Sequence, residues 1–226
     1  MSGRTGWTIL VPVKRLDLAK SRLEVPNGLR APLALAMALD TIEAVLGTDP
    51  VARVVVVTAA REVRTAFDPT ARLEWLDDPG TGLEAAIARG QEHLVATGAG
   101  PAAVLLGDLP ALRPAELEAA LDVAGSLPRA VVGDAEGTGT TLLTARSAGD
   151  LRPHFGRGSL AAHEAAGHLP IDVPGRGLRQ DVDTAADLAE AVRLGVGRAT
   201  AGVLAELTVR LGVPPGRQSG GHATGE

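Results

Sequence analysis

The sequence predicts an α/β fold, with a sheet covered by helices on both faces. Two observations predict it. Short runs rich in valine, leucine and alanine recur along the chain, and each is apolar throughout instead of alternating, the pattern of strands buried on both faces of a parallel sheet. Stretches with apolar residues at helical spacing fall between them, and strand–helix alternation of this kind is the signature of a doubly wound domain.

Each element follows in order. Thr8–Val13, Arg53–Thr58, Leu73–Leu76, Ala103–Leu106, Ala130–Gly133 and Thr141–Thr144 read as strands. Leu35, Leu39, Ile42 and Leu46 repeat at helical spacing after the first strand. Gly80-Thr81-Gly82 opens a second helix. Leu117, Leu121 and Ala124 mark another after Pro114, a residue suited to the first turn because its missing N–H needs no partner there. A last helix starts near Thr184, with Asp183 as its expected N-cap and Leu188 and Val192 expected to face inward. All of this fits one domain over residues 1–211. Residues 212–226 have loop composition and are expected to be disordered. No internal repeat is present.

Composition narrows the function. The chain has no cysteine, which removes disulfides, zinc thiolates and cysteine nucleophiles. Its net charge of -5 and its lack of tyrosine, with only two Trp and two Phe, argue against nucleic-acid partners. No apolar run approaches the roughly 18 residues of a membrane span, and no signal peptide is read at the N-terminus. The expectation is a cytoplasmic protein with no nucleic-acid or membrane partner.

Ligands of doubly wound sheets sit outside the carboxyl ends of the strands. Lys14, Lys20 and Arg22 follow the first strand, and those two lysines are the only ones in the chain. A lysine is a compact point charge that suits phosphate oxygens. Two solvated lysines beside a strand end are the plainer alternative. Asp108 follows Val104-Leu105-Leu106, with Gly107 allowing a turn and Pro110 stopping the strand. A carboxylate there can hold Mg²⁺ or merely open a turn. Asp181 and Asp183 are two apart, so in an extended segment both point to one side. They suit a second acidic contact to a metal or a helix cap. Asp134 follows the fifth strand.

Three glycine-rich stretches could offer backbone N–H groups to an anion or a base: Asp77–Leu83, Gly137–Thr141 and Phe155–Ser159. Each could equally be an ordinary turn. No P-loop and no dinucleotide fingerprint is present. His93, His154, His163, His168 and His222 lack metal-motif spacing, and no nucleophile elbow exists. A chain whose motifs mark out no obvious general base suits chemistry whose nucleophile is already an anion.

Taken in order, Val11-Pro12-Val13-Lys14, Ala19-Lys20-Ser21-Arg22-Leu23, Gly107-Asp108-Leu109-Pro110, Gly137-Thr138-Gly139-Thr140, Phe155-Gly156 with Ser159, and Asp181-Val182-Asp183-Thr184 resemble the phosphoenolpyruvate / 2-phospho-L-lactate guanylyltransferase family of coenzyme F-420 biosynthesis. The resemblance runs over roughly residues 8 to 200. It implies a three-layer nucleotidyltransferase-like fold (Rossmann-type, GT-A-like) with a mixed, mostly parallel sheet, related to molybdopterin guanylyltransferases. It implies GTP as co-substrate and Mg²⁺ as cofactor, with phosphoenolpyruvate as acceptor and 2-phospho-L-lactate or 3-phosphoglycerate as alternatives. Asp108 and Asp181 would be metal ligands, with Asp183 the alternate. Lys14, Lys20 and Arg22 would hold the GTP phosphates. Thr140, Gly156 and Ser159 would bind phosphoenolpyruvate. The Asp77–Gly82 loop would frame the nucleotide, so Asp78, Gly82 and Gly107 are expected nucleotide-side residues. Glu84 stands where members of the family often carry asparagine. A transient hand-off of the product to the next pathway enzyme is expected, and the oligomeric state is left open. A sugar-nucleotide or molybdopterin nucleotidyltransferase and a non-catalytic nucleotide-binding module are the rival readings. A glycosyltransferase would usually place Asp-x-Asp at the central strand end, where this chain has Asp108-Leu109-Pro110.

Overall fold

The structure is a computed structural model that describes residues 6–14, 16, 23, 25 and 28–210. The tail over 212–226 lies outside the described residues. These residues form strands β1 (Trp7–Val13), β2 (Val51–Thr58), β3 (Leu73–Leu76), β4 (Ala102–Leu105), β5 (Arg129–Gly133), β6 (Thr140–Ala145) and β7 (Leu169–Pro170). The helices are α1 (Arg30–Leu46), α2 (Arg61–Thr65), α3 (Leu83–Ala96), α4 (Pro114–Ala124), α5 (Ser159–Ala165), α6 (Ala185–Leu194) and α7 (Arg198–Arg210). The sheet order is β3-β2-β1-β4-β6-β5-β7.

The all-apolar strands are buried on both faces, as their pattern requires. Ile9, Val11, Val54, Val56, Ala103 and Leu105 point to one side, against Ile42 and Val45 of α1 and Leu117 and Leu121 of α4. Leu10, Val55, Val57 and Val104 point to the other, against Ile87 and Leu94 of α3 and against Phe155. Each fully buried valine, leucine or isoleucine among them contributes roughly 1.5–3 kcal/mol. α3 lies so close to β1 that a Cβ on Gly90 would collide with Leu10. A third cluster joins α6 to α1 through Val182, Leu188, Ala191, Leu33 and Met37.

The sheet is mixed and mostly parallel, as the family resemblance implies: β6 alone runs antiparallel, to both β4 and β5. The connection between β5 and β6 covers only residues 134–139, which suits a hairpin and is too short for a crossover. Within α1, Ile42 is buried, but Leu35, Leu39 and Leu46 are only partly so and flank the core. The cap of α6 is Thr184, not Asp183: its hydroxyl accepts from Asp187 N–H, and the Asp187 carboxylate accepts from Thr184 N–H in return. Val192 is 46% exposed instead of facing inward, and α7 follows where α6 was expected to be the last helix.

Strand order also defines where a ligand can enter. From β1 the chain moves outward to β2 and β3, then returns to β4 on the other side of β1. The crevice beyond the carboxyl ends of β1 and β4 is therefore the topological switch point.

Candidate active site

The two strand ends at this crevice touch. Lys14, exposed, directly follows β1. Gly107 lies against it: a Cβ there would stand 3.0 Å from the Pro12 carbonyl oxygen and 3.1 Å from Val13 Cγ2. Glycine thus lets the chain leaving β4 pass close to the end of β1 and deliver the half-buried Asp108 beside it. The turn is pinned from α1. Leu109 N–H donates to Thr41 Oγ1 at 3.0 Å, and that hydroxyl donates to the Met37 carbonyl at 2.9 Å.

The late acidic segment arrives at the same place. Val182 N–H donates to the Asp108 carbonyl at 3.2 Å. The Val182 side chain is buried, while Asp181 is half-buried and Asp183 exposed. Gln180 Nε2 donates to the Asp181 carbonyl at 3.2 Å. Residues separated by more than 70 positions are therefore neighbours through one backbone hydrogen bond.

On the β2–β3 side a cavity of about 150 Å³ is lined by Pro12, Val13, Lys14, Asp78, Gly80, Gly82, Leu83 and Ala86. Its walls are mostly apolar, with a carboxylate and an ammonium among the lining groups. Gly80 and Gly82 adopt φ of 80° and 113°, which side chains rarely accept, so glycine is required in this loop. Asp78 Oδ1 accepts from Gly80 N–H at 2.8 Å and closes the turn. Arg64 holds the loop from α2: its Nη2 donates to the carbonyls of Thr58 and Leu76 at 3.0 and 2.9 Å and to Asp77 Oδ1 at 2.6 Å.

On the β6 side, Leu106 N–H donates to the Thr141 carbonyl at 3.0 Å, joining the end of β4 to the start of β6. Leu160 N–H donates to the Thr138 carbonyl at 3.2 Å, so α5 docks on the β5–β6 turn. This brings Thr140, Gly156 and Ser159 into one group. Gly156 is exposed, whereas Thr140 and Ser159 are each only 3% exposed. Asp134 is occupied by its own turn, accepting from Thr138 N–H at 2.9 Å and Gly139 N–H at 2.7 Å.

Behind Thr140 lies a histidine that sequence reading set aside. His163 is fully buried, and its Nδ1 is 2.9 Å from Thr140 Oγ1. His154 N–H donates to His163 Nε2 at 2.8 Å. Burial, and then the charges of His168 and His154, lower its pKa from 6.5 to about 4.

Lys20 and Arg22 lie outside the described residues. Among the described residues no three His, Cys, Asp or Glu side chains gather as a metal site. Asp108 with the Asp181–Asp183 segment offers only carboxylate oxygens. That donor set fits Mg²⁺, which takes one or two carboxylates and completes its shell with phosphates and water. Sequence reading missed Thr41, Arg64 and His163. Each acts through contacts to chain far away in sequence, for which no local pattern exists.

The sheet order and the switch-point crevice define an α/β protein of the nucleotidyltransferase type. Solved structures agree on the fold. A protein assigned as a nucleotide-diphospho-sugar transferase from Desulfovibrio desulfuricans G20 superposes with a TM-score of 0.67 at 17% identity, over 91% of this chain and 96% of that one. Rv0371C from Mycobacterium tuberculosis H37Rv, solved in complex with manganese, matches with a TM-score of 0.50 at 20% identity, over 84% and 98% of the two chains. The family model described as guanylyl transferase CofC like matches residues 7–223, and the chain belongs to that family. A phosphoenolpyruvate guanylyltransferase from Salinispora arenicola is 49% identical, over 86% of this chain and 92% of its own. One from Streptomyces coelicolor is 45% identical, over 90% and 98%.

Proposed function

We infer that the protein joins the GMP part of GTP to phosphoenolpyruvate, giving enolpyruvyl-diphospho-guanosine and pyrophosphate, in coenzyme F-420 biosynthesis. The observation that carries this reading is the meeting of Lys14, Asp108 and the 181–183 segment at the switch point, in a chain whose relatives bear this activity as their name. Residues 1–211 serve as one catalytic domain in this reading, placed in the cytoplasm with its nucleotide substrate.

A phosphate oxygen of phosphoenolpyruvate attacks the α-phosphorus of GTP, and the bond to the bridging oxygen breaks as pyrophosphate leaves. The nucleophile is already an anion, so no side chain needs to remove a proton. Catalysis then rests on positioning and charge. Asp78 and Gly82 frame the nucleotide in the cavity beside β1, and Gly107, packed against Pro12 and Val13, lets the chain after β4 come close to it. Lys14 supplies positive charge to the phosphates, and Lys20 and Arg22 of the same segment join it. Thr140, Gly156 and Ser159 take the phosphoenolpyruvate. Asp108 and Asp181, with Asp183 as alternate, would hold Mg²⁺, which would supply positive charge to offset that of the GTP phosphates.

Pyrophosphate release tests the reading. The protein is incubated with GTP and Mg²⁺, and phosphoenolpyruvate, 2-phospho-L-lactate and 3-phosphoglycerate are compared. Release is expected with phosphoenolpyruvate, and its absence with all three would sink the proposal. Asp108→Asn is expected to lower kcat by on the order of 10²–10³, with the unfolding midpoint unchanged.

A further inference from the structure

We propose that His163 is a positioning residue for the acceptor substrate: its Nδ1–H donates to Thr140 Oγ1 and thereby leaves the Thr140 hydroxyl proton for the bound anion. The proposal rests on the reading that Thr140 contacts phosphoenolpyruvate.

The argument is one of donors and acceptors. A neutral imidazole carries one N–H and one bare nitrogen. A backbone amide can only donate, so His163 Nε2, 2.8 Å from the His154 nitrogen, is the bare one. The ring proton is then on Nδ1, which faces Thr140 Oγ1 at 2.9 Å. If the hydroxyl donated instead, both ring nitrogens would be acceptors and the ring would be an imidazolate. If the ring were an imidazolium, Nε2–H would confront the His154 N–H. Only one assignment satisfies both contacts.

The surroundings keep the ring neutral. Its neighbours are Phe155, His154 and His168, with ring centroids 4.9, 6.2 and 5.9 Å away. Arg129 and Arg152 stand near His168 and add positive charge to that side. Burial and the two histidines lower the pKa of His163 to about 4, so it carries no charge at neutral pH.

The consequence falls on Thr140. A hydroxyl has one proton and two lone pairs. One lone pair accepts from His163, and Thr140 Oγ1 makes no other side-chain hydrogen bond among the described residues. The hydroxyl is therefore presented as a donor. Carboxylate and phosphate oxygens only accept, so the pre-set direction matches an anionic substrate and avoids the cost of reorienting the hydroxyl on binding. Ser159 lies one helical turn before His163 on α5, which places the histidine and a second hydroxyl on one short element.

Steady-state kinetics on single and paired variants test this. Thr140→Val is expected to raise KM for phosphoenolpyruvate about tenfold or more. His163→Leu should raise it similarly, with KM for GTP unchanged. His163→Asn, whose amide can donate from the place of Nδ1–H, should restore KM to near the wild-type value. The pair Thr140→Val with His163→Leu should be no worse than Thr140→Val alone, because both act through one hydroxyl. Effects that multiply in the pair, or a His163→Asn variant as poor as His163→Leu, overturn the positioning role alone. An unchanged KM in Thr140→Val overturns it together with the assignment of Thr140 to the substrate. Imidazole nitrogen NMR on the wild-type protein gives a readout that needs no folded variant: a proton on Nδ1 is expected, and a proton on Nε2 refutes the proposal.

Discussion

His163 carries a cost and a use. The folded ring binds a proton only near pH 4, while the unfolded ring binds one near 6.5. Between these values the unfolded chain holds more protons, so stability falls as pH drops from about 6.5 to about 4 and is fully present above that window. The loss reaches on the order of 3 kcal/mol at its largest. Urea unfolding at neutral pH and near pH 5 should show the drop in wild type, and His163→Asn should flatten it. A slope that persists unchanged in the variant would assign the effect to other groups. Lys14 is the opposite kind of residue, exposed at a strand end with little packing to lose. Lys14→Ala should raise KM for GTP about tenfold with no change in melting temperature. Lys14→Arg tests whether a point charge is needed. The lysines were visible in the sequence because the chain uses arginine everywhere else. The role of His163 was not, since which nitrogen holds the proton depends on groups at positions 140 and 154 folded around it.

Elements behave as their periodicity demands, and the exceptions have causes. All six apolar runs became strands, with ends within two residues of expectation. β7 escaped notice because Leu169-Pro170 is two residues long and includes proline, tolerated there at a sheet edge. α2, of five residues, is too short to show a period, and α7 mixes small residues with few large apolar ones. The direction of β6 was set by a short connection, not by the strand's own composition. Two contacts between elements can be tested. Gly90→Ala would press a methyl group into Leu10 between α3 and β1 and should cost about 1–3 kcal/mol in chemical denaturation. Thr41→Val keeps the shape of α1 but leaves the Leu109 N–H without its acceptor. It should cost roughly 1–3 kcal/mol and lower kcat, because the turn carrying Asp108 loses its anchor. A variant with lower stability but full kcat would show that the turn holds itself.

At the scale of the molecule, the site is a product of sheet order. β1 and β4 adjoin with their carboxyl ends together, and every proposed ligand contact among the described residues is distributed along that edge. Binding there should stabilise the whole fold by mass action. GTP with Mg²⁺ is expected to raise the melting temperature of the wild-type protein more than GTP with a chelator. Asp108→Asn should abolish that metal-dependent increment, and an increment equal to wild type would move the metal away from Asp108.

By itself the sequence determined the local facts: which stretches are strands and helices, which charged residues stand at strand ends, and which chemistries its missing cysteine and P-loop exclude. These are properties of neighbouring residues, set by side-chain periodicity and backbone preference. Its ordered motifs also resembled the family to which the chain belongs. The tertiary structure alone decided that Lys14, Asp108 and Val182 converge, that Arg64 braces the Asp77–Gly82 loop, that β6 turns back on β5, and that the buried His163 ring meets the Thr140 hydroxyl. Those relations join residues far apart in the chain, and only packing and the pairing of hydrogen-bond donors with acceptors bring them together.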